Sequence, residues 1–403
     1  MYQLKCSLNE YNNILLLFLL YNITVRLIIG ATDLYNLERV VWEITSVCNM
    51  QCIHCGSDCN CIKVGKELTT QECLEIIEDL SDLKCNHIIF AGGEPLFRKD
   101  LGILCSACKQ QGINTAIISN GYLVNEDNIK LIKAFDLLAF GMSIDAADPY
   151  LHDYIRGKAG SFAHVKKAIE LLKQNDIPIS VVTTVHKLNY EQLPKIRDFL
   201  IENDIHLWQI QYGDNIGRLN KNWKITEAQF LDIAKFIIET NTKYSKEQLY
   251  TSGSDVFGYI SNTAKKIQGI WQGCHAGTRI GGISANGDIR GCLSLQEDKY
   301  IEGNVRNRSF KDIWLDKNSF QYNRRFSCEM LTDYCKNCYF SSVCKGGCYR
   351  AATINGGRCV PYCLYRIEKD GFSTKEEAKL NFSRKELFDL YNPVFKMPEE
   401  YLK

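Results

Sequence analysis

The sequence predicts an α/β protein: a partial (β/α)6 barrel followed by a small, cysteine-rich domain. Three observations predict it. Short β-branched runs alternate with helical patterns from residue 40 onward, the sequence form of βα units around a parallel sheet. Six such units occupy roughly 200 residues, fewer than the about 250 of a complete eight-fold barrel. The 19 cysteines fall into two groups, ten at or before Cys108 and nine at or after Cys274, with none between.

An extension, 1–38, comes first. Its run ILLLFLL at 14–20 is apolar, but Asn22 and Arg26 interrupt the continuation. The run is far short of the ~20 residues that span a bilayer, and no A-x-A cleavage site follows. It therefore reads as part of an N-terminal extension rather than an anchor. The barrel occupies 39–242, with strands at 40–45, 87–91, 115–119, 138–144, 179–186 and 206–212. Helices follow them at 69–83, 101–111, 126–134, 162–174, 191–202 and 226–240. Residues 243–273 are polar, with TSGSD at 251–255, and read as a bridge. Residues 274–366 are loop-rich with little apolar core of their own, so they need metal staples to fold. The tail, 367–403, is charged and carries a helical stretch at 375–390.

Composition narrows the function classes. A chain of 403 residues that is 45% hydrophobic and 24% charged is globular, neither disordered nor a multi-span membrane protein. A net charge of +1 gives no electrostatic argument for nucleic acid or an anionic membrane as partner. An odd cysteine count in two groups on a long chain speaks for metal ligation in a reducing, cytoplasmic setting rather than a disulfide framework. Cys6, Cys73, Cys85, Cys105 and Cys108 sit outside ligand spacings and read as small buried apolar residues.

The motif CNMQCIHC, Cys48 to Cys55, directly follows the first strand, on the face of the barrel where chemistry is placed. Zinc sites favour paired CxxC or His pairs and four protein ligands. Three cysteines at CxxxCxxC instead wrap one cubane and leave its fourth iron open. Cys59 and Cys61 lie nearby; a further ligand would close that iron, so they read as bystanders. The second strand ends in Gly92-Gly93-Glu94-Pro95, the third in Ser119-Asn120-Gly121 and the fourth in Ser143-Ile144-Asp145, with Arg156-Gly157 following. By themselves these are turn and cap residues. Together with CxxxCxxC they resemble the radical S-adenosylmethionine (SAM) superfamily and its TIM-like barrel.

That resemblance implies a [4Fe-4S] cluster on Cys48, Cys52 and Cys55 that cleaves bound SAM to a 5′-deoxyadenosyl radical. It implies that Gly92, Gly93 and Glu94 receive the cofactor's ammonium group, a favourable partner for a desolvated carboxylate. Ser119, Asn120, Ser143 and Asp145 would contact its adenosine and methionine parts. Arg156 would face the cofactor carboxylate, with a solvent-exposed role as the alternative. The C-terminal cysteines resemble the SPASM extension: Cys274, then Gly287 and Cys292, then Cys335, Cys338, Cys344 and Cys348, and finally Cys363. By resemblance, Cys274, Cys292 and Cys348 ligate a first auxiliary [4Fe-4S] cluster, and Cys335, Cys338, Cys344 and Cys363 a second. Cys359 stays open as the alternative last ligand, and the first auxiliary cluster would keep an open iron. A zinc ribbon over 335–348 is the competing reading of those four cysteines.

SPASM enzymes act mostly on peptides and proteins, and a related group modifies tetrapyrroles. In sulfatase maturases an Asp that serves as base directly follows the second array cysteine; here Leu293 follows Cys292. Gly56 after Cys55 is closer to peptide maturases and somewhat to tetrapyrrole enzymes. The expectation is C–H modification, chiefly crosslinking, of a ribosomally made (RiPP) precursor peptide, with flavodoxin or ferredoxin as reductant. Sulfatase-maturase-like or tetrapyrrole chemistry is the enzymatic alternative, and a non-catalytic iron-sulfur or zinc protein the alternative class. A leader-binding domain of about 80 residues does not fit before Cys48. The sequence names no catalytic side chain.

Overall fold

In the computed structural model, residues 35–60, 65–257, 259–268, 271, 273–354 and 356–371 are described. The apolar run at 14–20, Cys6, Cys61 and the stretch at 375–390 lie outside them. Six βα units follow in the expected order. They are β1 (Arg39–Thr45) and α1 (Thr70–Asp82), β2 (His87–Gly92) and α2 (Leu101–Gln110), then β3 (Asn114–Ser119) and α3 (Ile129–Ala134). β4 (Ala139–Ser143) is followed by two helices, α4 (Pro149–Arg156) and α5 (Ser161–Gln174). β5 (Ile179–Val185), α6 (Leu193–Glu202), β6 (Leu207–Tyr212) and α7 (Glu227–Lys243) complete the six.

Burial alternates along the strands. In β1, Val40, Trp42 and Ile44 are fully buried against the helices, whereas Arg39, Val41 and Glu43 face the concave side and are only half-buried. β6 repeats this with Trp208 and Ile210 buried and Gln209 and Gln211 hydrogen-bonded to each other at 2.9 Å on the other face. One face of the sheet is thus packed by helices, and the other lines a polar lumen. α1 shows how a covering helix is specified: Thr69 and Glu72 form a capping box, and Cys73, Ile76, Ile77 and Leu80 make its buried stripe. Cys73, Cys85, Cys105 and Cys108 are all buried apolar residues, as their patterns predict.

The sheet is longer than predicted at both ends. β7 (Tyr250–Gly253) and the helix α8 (Asn262–Gln268) lie inside the presumed bridge, and β7 pairs in parallel with β6, Leu207 opposite Tyr250. Its sequence, YTSG, is short and polar, as an edge strand is. On the other side β8 (Ile280–Ile283) pairs in parallel with β1, Arg39 opposite Ile280, and continues antiparallel into β9 (Asp288–Arg290) and β10 (Gly303–Asn304). The sequence IGGI hides this strand. A Cβ on Gly281 would meet the Phe310 ring at 3.2 Å, and one on Gly282 the Leu293 side chain at 2.9 Å, so neighbours fill the space that β-branched side chains normally take. The cysteine-rich domain is therefore an extension of the barrel sheet. It also holds a second apolar cluster, with Tyr259, Trp271, Leu331, Phe340 and Val360 packed around the late cysteines, where the sequence predicts little core. Arg306 fastens this domain to α1, reaching Glu72 at 2.6 Å and the carbonyls of Lys66 and Glu67 at 2.9 and 3.0 Å.

Candidate active site

The cysteine loop sits at the C-terminal end of β1, and four neighbouring segments hold it. Asn60 reaches back in both directions, accepting from the Cys48 amide at 3.0 Å and donating to the Cys48 carbonyl at 2.8 Å. The Ile53 amide donates to the carbonyl of Ile155 in α4 at 2.9 Å. Gly157, the left-handed residue that ends α4, lies so close that a Cβ there would be 2.3 Å from the Gln51 carbonyl oxygen. Gly217, also left-handed, approaches Cys55 in the same manner, and Arg218 beside it donates to the carbonyls of Cys52 and Cys59 at 2.9 and 3.1 Å. On the β2 side, a Cβ on Gly93 would fall 2.0 Å from the Val47 carbonyl oxygen, so the GGEP turn is pressed against the cysteine loop.

Glu94 is fully buried and accepts three hydrogen bonds: from the Ser119 hydroxyl at 2.8 Å, the Asn120 amide at 2.8 Å and the Leu96 amide at 3.1 Å. Burial pushes its carboxyl up, against the pull of those donors. Ser119 is thereby turned onto Glu94, and its oxygen also accepts from the Gly121 amide at 3.0 Å. Asn120 faces the loop, with its amide nitrogen 2.7 Å from Asn49 Oδ1 and 3.9 Å from Cys48 Sγ. Ser143 ends β4 on its less buried face.

Asp145 is buried and held by the protein. Arg156 lies 3.1 Å from Oδ2, His54 Nε2 3.5 Å from the same oxygen, and the Thr184 amide donates to Oδ1 at 3.0 Å. Arg156 is itself buried, which removes the solvent-exposed alternative. Burial raises the Asp145 carboxyl, but the opposing charges more than offset it and bring it down to about 2. Burial also drives His54 down to about 4, so His54 is neutral at pH 7 and Arg156 is the cation that keeps Asp145 ionised there. Asp145 thus forms an internal ion pair with Arg156 beneath the cysteine loop.

The cysteines converge as three sets. Cys48, Cys52 and Cys55 share the first loop, and the Cys59 thiol, placed in the sequence as a bystander, hydrogen-bonds to Cys55 and points toward the Gly92 carbonyl at 3.5 Å. Cys274 and Cys348 are hydrogen-bonded to each other with Cys292 beside them. Cys335 contacts Cys359, and Cys363 lies with Cys338 and Cys344, so five thiols gather where four ligands were expected. Among the described residues, no three Cys, His, Asp or Glu side chains draw close enough to hold a single metal ion. Wider, all-thiol sets suit cubanes, whose cage spreads its soft ligands apart. The buried Tyr322 hydroxyl beside Cys274 and Cys292 has no hydrogen-bond partner among the described residues, as fits a donor facing an acceptor of the cluster type.

Between the cysteine loop and the auxiliary domain lies a cavity of about 250 Å³. Glu43, Ser57, Asp58, Asp288, Arg290 and Asp298 are among its walls. The Ser57 hydroxyl donates to Glu43 at 2.5 Å, and burial raises the Glu43 carboxyl. Gln296 donates to the Gly56 carbonyl, closing one side. Sequence reasoning missed Glu43, Asn60, Gly217 and Arg218; only Glu43, near the end of β1, carried a local signal.

A family model described as the radical SAM superfamily matches residues 42–200. One described as an iron-sulfur cluster-binding domain, SPASM, matches 274–339. The chain carries a radical SAM domain and a SPASM domain. It is a radical SAM/SPASM enzyme, with SAM, a [4Fe-4S] cluster and auxiliary iron-sulfur clusters as its cofactors. An "AdoMet-dependent heme synthase" of Methanosarcina barkeri is 29% identical over 350 residues, covering 83% of this chain and 98% of the relative. A "PqqA peptide cyclase" of Bradyrhizobium diazoefficiens is 26% identical, covering 77% of this chain and 80% of the relative. Among solved structures, Streptococcus suis SuiB bound to precursor peptide SuiA superposes with a TM-score of 0.66 at 19% identity, over 81% of this chain and 75% of SuiB. Among the described residues, no helix is long and apolar enough to cross a membrane.

Proposed function

We propose that this radical SAM/SPASM enzyme modifies a ribosomally made precursor peptide, crosslinking it at an unactivated carbon. The cavity between the cysteine loop and β8–β9 carries this reading. Pockets that enclose a drug-sized ligand run to about 300–1,000 Å³, and this one is about 250 Å³. It suits one or two side chains of a peptide whose remainder lies outside. Its charge supports the same reading: Glu43, Asp58, Asp288 and Asp298 outnumber Arg290, an unfavourable wall for a carboxylate-bearing porphyrin. The peptide-acting relative and the fold shared with SuiB are in line with it.

Cys48, Cys52 and Cys55 would hold the radical cluster, and the three C-terminal cysteines Cys274, Cys292 and Cys348 the first auxiliary one. When bound, cluster and cofactor supply a 5′-deoxyadenosyl radical at the barrel mouth. The chain's own groups do the positioning: Glu94 pins the ends of β2 and β3, and the Arg156–Asp145 pair braces the loop from below. Gly92, Gly93, Asn120 and Ser143 border the place left for the cofactor, with flavodoxin or ferredoxin as reductant.

A second reading, tetrapyrrole modification, rests on the 29% identity to the heme synthase. Anaerobically reconstituted enzyme with SAM and dithionite separates the two. Incubated with a short peptide encoded beside its gene, it should yield 5′-deoxyadenosine and a peptide lighter by two hydrogens by mass spectrometry. Conversion of a carboxylate-bearing iron porphyrin to heme with no change in the peptide would overturn the peptide reading.

A further inference from the structure

We infer that Arg218 is a positioning residue for the radical cluster, a clasp that the sixth strand's loop places on the cysteine loop from 166 residues away in sequence. Arg218 follows β6, on the far side of the lumen from β1. Its guanidinium nevertheless makes four contacts on one short segment. Nε donates to the Cys52 carbonyl at 2.9 Å, and one terminal nitrogen donates to the Cys59 carbonyl at 3.1 Å and to Gln51 Oε1 at 3.0 Å. The same nitrogen lies 3.6 Å from Asp58. Its backbone amide donates to the Cys55 carbonyl at 3.0 Å. Gly217 makes the approach possible: with φ at +57° and only 2.1 Å between an ideal Cβ and the Cys55 oxygen, no other residue fits. Carbonyls on both sides of the third cysteine are thus tied to one rigid, planar cation.

Two consequences follow from this geometry. The forked donor fixes the peptide planes that orient Cys52 and Cys55, which a point-charge ammonium reproduces only in part. The fixed positive charge beside the thiolates also favours the more negative, reduced cluster, so it raises the reduction potential. Both are effects on this chain's own loop toward the group it binds, and the inference rests on the reading of Cys48, Cys52 and Cys55 as that group's ligands.

The test uses full-length enzyme reconstituted anaerobically, with R218Q and R218K beside the parent. Iron and sulfide are counted, SAM-dependent changes in the cluster's electron paramagnetic resonance signal are recorded, and the midpoint potential is titrated. R218Q should bind the radical cluster roughly tenfold to a hundredfold more weakly, the cost typical of lost outer-shell partners. The cluster that remains should titrate at a lower potential, while iron at the two auxiliary sites is retained. R218K should restore the potential more than the occupancy. Parent-like occupancy, signal and potential in R218Q would overturn the inference, as would loss of all three clusters together with a lowered melting temperature. If R218Q fails to fold, R218K decides: parent-like occupancy there is also fatal. Failure of the ligand reading is distinguishable, since the parent itself would then lack a SAM-responsive cluster.

Discussion

Replacing Gly157 by alanine tests whether the left-handed end of α4 sets the position of the cysteine loop. The added methyl group meets two separate costs. Gly157 has φ +60° and ψ +34°, and an L-residue there pays about 1–2 kcal/mol for conformation alone. The new Cβ would also lie 2.3 Å from the Gln51 carbonyl oxygen and 2.7 Å from its carbon. A C···O contact relaxes to about 3.3 Å or more, so the two loops must part by roughly 1 Å. Overpacking of that kind costs a further ~1–3 kcal/mol. The displacement falls on Gln51, between Cys48 and Cys52, and a misplacement of about 1 Å can cost about 100-fold in rate. Gly160 is the control: it too has positive φ, at +76°, but nothing lies within 4 Å of its Cβ position. G160A should therefore lose stability only through backbone conformation and keep its rate. Urea unfolding and the rate of 5′-deoxyadenosine formation measure the two effects. G157A and G160A with equal stabilities and equal rates would refute the reasoning.

Three further outcomes are expected. Arg156→Gln leaves the Asp145 carboxylate buried beside a neutral His54, so stability at pH 7 should fall by about 3–5 kcal/mol. Because the Asp145 carboxyl is held near 2 against 3.8, its stabilisation is present above pH 3.8 and fades as pH falls toward 2. The parent's advantage over R156Q should accordingly shrink across that window in acid unfolding curves. Glu94→Gln turns an amide donor toward one of three donors, costing about 1–3 kcal/mol, and should weaken SAM binding by calorimetry of the reconstituted enzyme. Cys59→Ala should keep the iron of the radical site, whereas Cys55→Ala should lose it; equal iron loss in both would make Cys59 a ligand.

The sequence was most informative where local pattern and tertiary role agree. Most strands from β1 to β6 carry their own apolar, β-branched-rich runs, and the three loop cysteines lie within eight residues, so spacing alone described them. It was least informative where a partner supplies what the local sequence lacks. The strand IGGI owes its conformation to Phe310 and Leu293, which fill the space above its glycines. Ser119 and Asp145 were legible as strand-end polar residues, but their partners were not: Glu94, Arg156 and His54 come from other segments. Arg218 lies beyond any local pattern, because its meaning depends on a contact across the lumen. The choice between Cys359 and Cys363 stayed open for the same reason, since both gather near Cys335 and Cys338.

The parallel pairing of β1 with β8 also has a consequence for biosynthesis. Arg39 waits for Ile280, so the ribosome must add 241 residues before the first strand gains its second neighbour. At about 5–20 residues per second, that is roughly 10–50 s with one side of a hydrophobic strand unpaired. A bare strand edge is a template for pairing with other nascent chains. Expression slowed by rare codons between β7 and β8 should therefore raise the aggregated fraction, whereas the same slowing after β10 should not.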